Sequence, residues 1–156
     1  MSNNNLAIHA IDHTLSSQAL KIWSLFQSAY QIEADWLKIK HFPPLSRTIQ
    51  AIQESTTEFW ALSEQDAFQA VLEFQKHGNW IEIHSLAVST RELRQGHGRA
   101  ILACLIGHYP ERIIELETAL ANQAAMALYK KAGFNIISQF ETEHGLIKVR
   151  LRKTPS

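Results

Sequence analysis

The sequence predicts a mixed α+β fold: a mostly antiparallel sheet of six to seven strands with about four helices. Three observations carry that expectation. Apolar residues recur at helical spacing through residues 16–37 and then change to strand-like runs over residues 57–88. Short polar turns separate those runs, as in an antiparallel meander. A strand at 80–88, a helix at 99–108 and a strand at 112–118 then form one strand–helix–strand unit, which makes one pair in the sheet parallel. No linker or internal repeat divides the chain. One domain over 1–156 is expected, with its core at about 57–142 and a helical region at about 14–54.

Along the chain, residues 6–11, Leu-Ala-Ile-His-Ala-Ile, read as a first strand. From 16 to about 37, Leu20, Trp23, Phe26, Tyr30 and Leu37 mark a helix, with Ser16 or Ser17 as its cap and Gln18 and Lys21 outward. Pro43 and Pro44 break the pattern, because proline lacks an amide proton and disfavours helix in the residue before it. A second short helix is expected from Ser46 to about Gln53. Residues 58–62 and 67–74 read as strands around a polar turn, and a turn at Gly78 leads into the strand at 80–88. The apolar helix expected from Arg99 ends near His108, before Pro110. After the strand at 112–118 come a helix at 122–132 and two strands, near 134–142 and 146–152, joined by a turn at 143–145.

Composition removes several classes of function. Fifteen basic residues balance fifteen acidic ones among 156, so no overall field attracts nucleic acid or an anionic membrane. The one cysteine, Cys104, excludes an intramolecular disulfide and argues against a cysteine-rich metal site. His9 and His13 are four apart, but no further ligand motif supports them, so no metal site is expected. No apolar run approaches the ~18–20 residues of a membrane span, and the polar start lacks a signal-peptide pattern. The expectation is a cytoplasmic protein with neither nucleic acid nor membrane as partner; a homodimer is compatible with it.

The most informative stretch is Leu86-Ala-Val-Ser-Thr-Arg-Glu-Leu-Arg-Gln-Gly-His-Gly-Arg-Ala100. A strand runs into a polar turn carrying Gly96 and Gly98, and a helix begins at once. Glycine lets a backbone turn tightly and approach a ligand. The first amides of the helix have no internal partner and lie at its positive end, a nest for phosphate oxygens. Arg94 and Arg99 flank that nest. A dinucleotide fingerprint would need glycine where Ile101 stands, and a P-loop would need Gly-Lys-Ser/Thr. The glycine pair alone also fits a turn that uses glycine only for steric reasons.

A second segment decides between these. Asn122-Gln-Ala-Ala-Met-Ala-Leu-Tyr-Lys-Lys-Ala-Gly-Phe134 has an N-cap residue at Asn122 and one apolar face in Ala125, Leu128, Tyr129 and Ala132. Gly133 stands where a left-handed helix end is expected. The two segments together resemble the acyl-CoA loop and the Asn-x-x-Ala-x-x-Leu-Tyr-x-x-x-Gly-Phe segment of the GNAT superfamily of acyl-CoA-dependent N-acetyltransferases. The resemblance covers about residues 57–142 well, and the N-terminal helices by layout only. It departs at Leu93, where the family has Gln or Arg, and at Thr90, where it often has proline.

The resemblance implies a GNAT-like fold with a splayed parallel pair and acetyl-CoA as co-substrate. The strand ending at Leu86, Ala87 and Val88 would pair with the pantetheine amides, and the Val88 amide would polarise the thioester carbonyl. Arg94, Gln95, Gly96, His97, Gly98, Arg99 and Ala100 would hold the pyrophosphate, and Asn122 and Tyr129 would complete the cofactor side. The reaction implied is direct attack by a small-molecule or peptide amine, with Tyr129 as acid for the departing thiolate. Cys104 reads as a small core residue. A lysine-like ammonium has a pKa of ~10.4, so a base is expected. Glu82 is the first candidate and His84 the second, ~6.5–7 Å apart along one strand face unless a bulge upsets the alternation. A different function on the same fold is an acyl-CoA-binding module without turnover. Trp23, Tyr30, Trp36 and Phe42 are candidates to line the acceptor side, with residues 41–46.

Overall fold

The computed structural model describes residues 6–90 and 95–155. The chain runs β1 (Leu6–Ile11), α1 (Ser16–Leu37), a 3-10 turn (Pro43–Ser46), α2 (Ile49–Glu54), β2 (Glu58–Glu64), β3 (Ala67–His77), β4 (Trp80–Val88), α3 (His97–His108), β5 (Ile113–Ala119), α4 (Gln123–Lys131), β6 (Asn135–Glu141) and β7 (Ile147–Lys153). One seven-stranded sheet has the order β1-β2-β3-β4-β5-β7-β6. All its pairs are antiparallel except β4 with β5.

Helices cover both faces, and strand alternation sorts the side chains between them. Leu72, Phe74, Ile81 and Ile83 meet Ile101, Leu102 and Leu105 of α3 and Met126 and Tyr129 of α4 in the larger core. Phe59, Ala61, Val71 and Ala87 meet Ala19, Ile22, Leu25 and Phe26 of α1 and Ile52 of α2 in the smaller one. That second layer stops at β4. Over the rest of the same face, Glu82, Glu115, Glu117, Arg150 and Arg152 form a charged ladder, with Arg150 Nε 2.6 Å from Glu115 Oε1.

Two features open the sheet at its centre. The β3–β4 register passes from Phe74↔Ile83 to Glu73↔Ser85, so His84 is the extra residue of a bulge. Before it Ile81 and Ile83 point into the larger core; after it Leu86 and Val88 do. The parallel pairing of β4 with β5 runs only from Trp80↔Ile113 to Ile83↔Leu116. Beyond it β4 stays with β3 out to Val88, and β5 stays with β7 out to Ala119. The two strands therefore part at the bulge.

Several boundaries differ from the sequence expectation for local reasons. The N-cap position of α1 is Leu15, which has no side-chain cap bond, and neither Ser16 nor Ser17 serves. Leu20 is exposed, and Ala19, Ile22 and Leu25 take the buried face. The second helix starts at Ile49 rather than Ser46, because the prolines turn residues 43–46 into 3-10 and Thr48 caps α2, accepting from the Ala51 amide. Around Gly133, φ is +99°, the left-handed turn expected after α4.

Candidate active site

A cleft of about 410 Å³ passes through the sheet where β4 and β5 part. Ser85 and Leu86 of β4 and Leu116, Glu117 and Thr118 of β5 form its edges. Tyr129 and Ala125 of α4 close it from one side, and Tyr30 and Glu33 of α1 from the other. Phe42, Pro43 and Pro44 and the β6–β7 turn around His144 complete the rim.

The gap offers unpaired backbone. The Ser89 amide donates to the Gln69 carbonyl of β3 at 2.8 Å. Amide direction alternates along a strand, so the Ala87 amide faces β3 too, and those of Leu86 and Val88 face the gap. At one end of the gap stands the amino terminus of α3. Gly96, with φ +80°, is its N-cap, and the first helical bond runs from the Ala100 amide to the Gly96 carbonyl at 3.0 Å. The amides of His97, Gly98 and Arg99 are thus unused by the helix. His97 is buried, and its Nδ1 has no partner among the described residues. Gln95, Arg99 and Ala100 are exposed. Arg94 lies outside the described residues.

Gly98 has a further reason to be glycine. A Cβ there would stand 3.2 Å from Val88 Cγ2, so the missing side chain lets α3 pack on β4. Nothing lies within 4 Å of a Cβ at Gly96, whose positive φ alone calls for glycine.

Tyr129 is almost wholly buried, with its ring edge-on to Phe134 at 5.5 Å. Burial, then the neighbouring Tyr30 and Glu33, raise its hydroxyl pKa well above the usual tyrosine value. Burial raises Tyr30 as well, partly opposed by a hydrogen bond with Ser85. Asn122 caps α4, accepting from the Ala125 amide at 3.1 Å, and donates through Nδ2 to Glu33 Oε1 at 3.0 Å. Burial pushes the Glu33 carboxyl up, against the opposing effects of Asn122 and Lys148.

Glu82 and His84, two residues apart, share one face of β4 by strand alternation, and their side chains meet there. His84 Nε2 lies 3.2 Å from Glu82 Oε1. His84 lines the cleft, whereas Glu82 stands behind it, also 3.1 Å from His77 Nε2 and 3.6 Å from Arg150. Of the aromatic candidates, Tyr30 and Phe42 line the cleft. Trp36 borders a neighbouring hollow, and Trp23 donates to the Arg47 carbonyl at 3.0 Å.

Sequence reasoning missed Glu33 and Glu117 as cleft residues. Glu33 did carry a signal, since it stands three residues after Tyr30 and seven after Phe26, on the helix's apolar side. Glu117 alternates with Glu115 along one strand face, and nothing in the sequence separates the two.

Residues 20–134 match the family model described as "Acetyltransferase (GNAT) family". The UPF0157 protein YqkA of Bacillus subtilis (strain 168) is 28% identical over 141 residues, covering 90% of this chain. The chain spans only 41% of that relative's length. The ribosomal-protein-S18-alanine N-acetyltransferase of Escherichia coli superposes with a TM-score of 0.75 at 22% identity, over 97% of this chain and 94% of its own. Salmonella typhimurium yncA, whose structure contains its cofactor acetyl-CoA, gives 0.69 at 14% identity, over 97% and 95%. These likenesses establish the fold: a mostly antiparallel seven-stranded GNAT-like sheet with one splayed parallel pair and four α-helices. No helix among the described residues is long and apolar enough to cross a membrane.

Proposed function

The chain belongs to the acetyltransferase (GNAT) family, and from that premise we propose that it moves an acetyl group from acetyl-CoA to a primary amine by direct attack. The observation that carries this reading is the through-sheet cleft, with a helix amino terminus at one end and Tyr129 buried in its wall. Acetyl-CoA fits there by chemistry. The free amides of residues 97–99 suit phosphate oxygens, and the inward amides of Leu86 and Val88 suit pantetheine and the thioester carbonyl.

The residues divide the work. The Val88 amide stabilises charge as it develops on the carbonyl oxygen. Tyr129, kept protonated by burial, donates its proton to the thiolate that leaves. His84 faces the cleft and takes the proton of the incoming ammonium, while Glu82 behind it fixes the ring. Glu33 gives the cleft a carboxyl held, among the described residues, by a single donor, Asn122, to receive that ammonium, whereas Glu117 is already paired with Arg150 and Lys148. The acceptor is thus a cationic amine, on a small molecule or a peptide.

An acceptor screen with acetyl-CoA, read by release of free thiol, tests the activity. Tyr129→Phe keeps the packing and should lower turnover ~100-fold with little change in acetyl-CoA affinity. His84→Gln should slow the reaction at neutral pH and recover partly at alkaline pH, where more amine is already neutral. Tight acetyl-CoA binding with no thiol release across the amine classes would overturn catalysis in favour of a binding module.

A further inference from the structure

The charged face of β3 and β4 holds a second constellation. The turn after β3 sets His77 opposite Trp80 in the register, and strand alternation puts His84 on the same face as Glu82. Both imidazoles present Nε2 to one carboxylate oxygen, Glu82 Oε1, at 3.1 Å from His77 and 3.2 Å from His84. The three potential ligand atoms lie within 4.8 Å of one another. The other carboxylate oxygen stands apart, 3.6 Å from Arg150. Arg150 already takes the second oxygen, and the first, with two lone pairs, faces both imidazoles. Convergence on one oxygen is how ligands gather round a common centre.

We propose that His77, Glu82 and His84 form a zinc site of micromolar affinity, and that zinc bound there takes the His84–Glu82 pair out of use. Bonds of ~2.0–2.2 Å at tetrahedral angles separate neighbouring ligand atoms by roughly 3.3 Å. The two imidazole–carboxylate distances already match that spacing, so only the distance between the imidazoles has to adjust. His77 stacks on Trp80 with 4.4 Å between ring centroids, which holds one ligand in place. Arg150, also bonded to Glu115 and Glu117, neutralises the second carboxylate oxygen and favours one-oxygen ligation. All three side chains are partly exposed, at 33%, 27% and 36%, so solvent can fill a fourth position. Two nitrogens and one oxygen suit zinc; magnesium prefers oxygen ligands throughout.

The site shares His84 with the cleft. A metal on Nε2 and on the carboxylate removes the orienting contact between them, so zinc should inhibit transfer. That consequence rests on His84 as base; binding itself does not.

The test is calorimetry on the tag-free full chain with zinc chloride alone, and with magnesium chloride alone. One zinc per chain in the micromolar range and no magnesium binding are expected. His77→Ala and His84→Ala should each weaken zinc at least ~10-fold, with unchanged unfolding midpoints; His77→Gln serves if the alanine variant is unstable. Zinc affinity unchanged in these variants, or lost only with His41→Ala or His144→Ala in the cleft, would overturn the site. If the proposed reaction is observed, the zinc concentration that halves its rate should rise at least ~10-fold in His77→Ala. Failure to find an acceptor would leave the calorimetric result standing on its own.

Discussion

Glu73 and Glu33 are both acids on the α1 side of the sheet, and they are treated in opposite ways. Glu73 is fully satisfied. Arg47 donates to both its oxygens at 2.7 and 2.8 Å, Thr57 adds a bond at 2.7 Å and Ser85 one at 2.9 Å. Burial pushes its carboxyl up, but Arg47, then Thr57 and Ser85, outweigh that and hold it below the usual glutamate value. Among the described residues Glu33 has one hydrogen-bond donor, Asn122, and its carboxyl is raised. A buried charge that is fully bonded serves the fold; one left short of partners on the wall of a cleft is available to a ligand.

The largest expected effect comes from breaking the satisfied site. Arg47→Ala leaves Glu73 charged and buried, and should destabilise by about 3 kcal/mol, the low end for a broken buried pair because Arg47 is itself 27% exposed. Urea unfolding measures it, and a loss below ~1 kcal/mol would show that Glu73 is not dependent on Arg47. Asn122→Ala comes next, at about 1 kcal/mol, since it removes the α4 cap and the one donor to Glu33 together.

Glu33→Gln should be the mildest in stability and the most telling in function. The glutamine oxygen can still accept from Asn122, so stability at neutral pH should hold or rise by less than ~1 kcal/mol. The KM for a cationic acceptor should rise with little change in kcat, the mark of lost uniform binding. An unchanged KM would return Glu33 to the fold. The two acids should also respond to pH with opposite signs. The folded Glu73 value is depressed, so its stabilisation is present above the unfolded value of ~4.3 and is lost as pH falls through the folded value. The folded Glu33 value is raised, so its contribution is full below ~4.3 and is lost as pH rises through the folded value. Unfolding from pH 3 to 7 should therefore lose acid sensitivity in Glu73→Gln and gain it in Glu33→Gln.

The sequence made the fold legible where the pattern was local. The α4 segment could be read position by position, because capping by Asn122, an apolar face and a left-handed Gly133 all lie within one helix. The strands could be read from alternation and turns. Local signals failed at Leu15, where no side chain caps α1, and at residues 43–46, where the prolines displaced the start of α2. The cleft was legible in Leu86, Asn122 and Tyr129, in His84, and in Tyr30 and Phe42. Its other walls join residues far apart in the chain, such as Glu33 with Asn122, and no periodicity encodes that meeting. A bulge in β4 was anticipated but its place was not legible; falling at His84, it leaves Glu82 and His84 on one face and re-aims the residues after them.

The strand order also sets an order of assembly. β7 comes after β6 in the chain, yet it lies between β5 and β6. β6 has no place beside β5 until β7 has docked between them. Until β7 docks, β6 has no strand to pair with, and Ile136, Ile137 and Phe140 stay exposed on it even in the folded chain. The arrival of one strand then joins β6 to the sheet and braces β5 along the wall of the cleft.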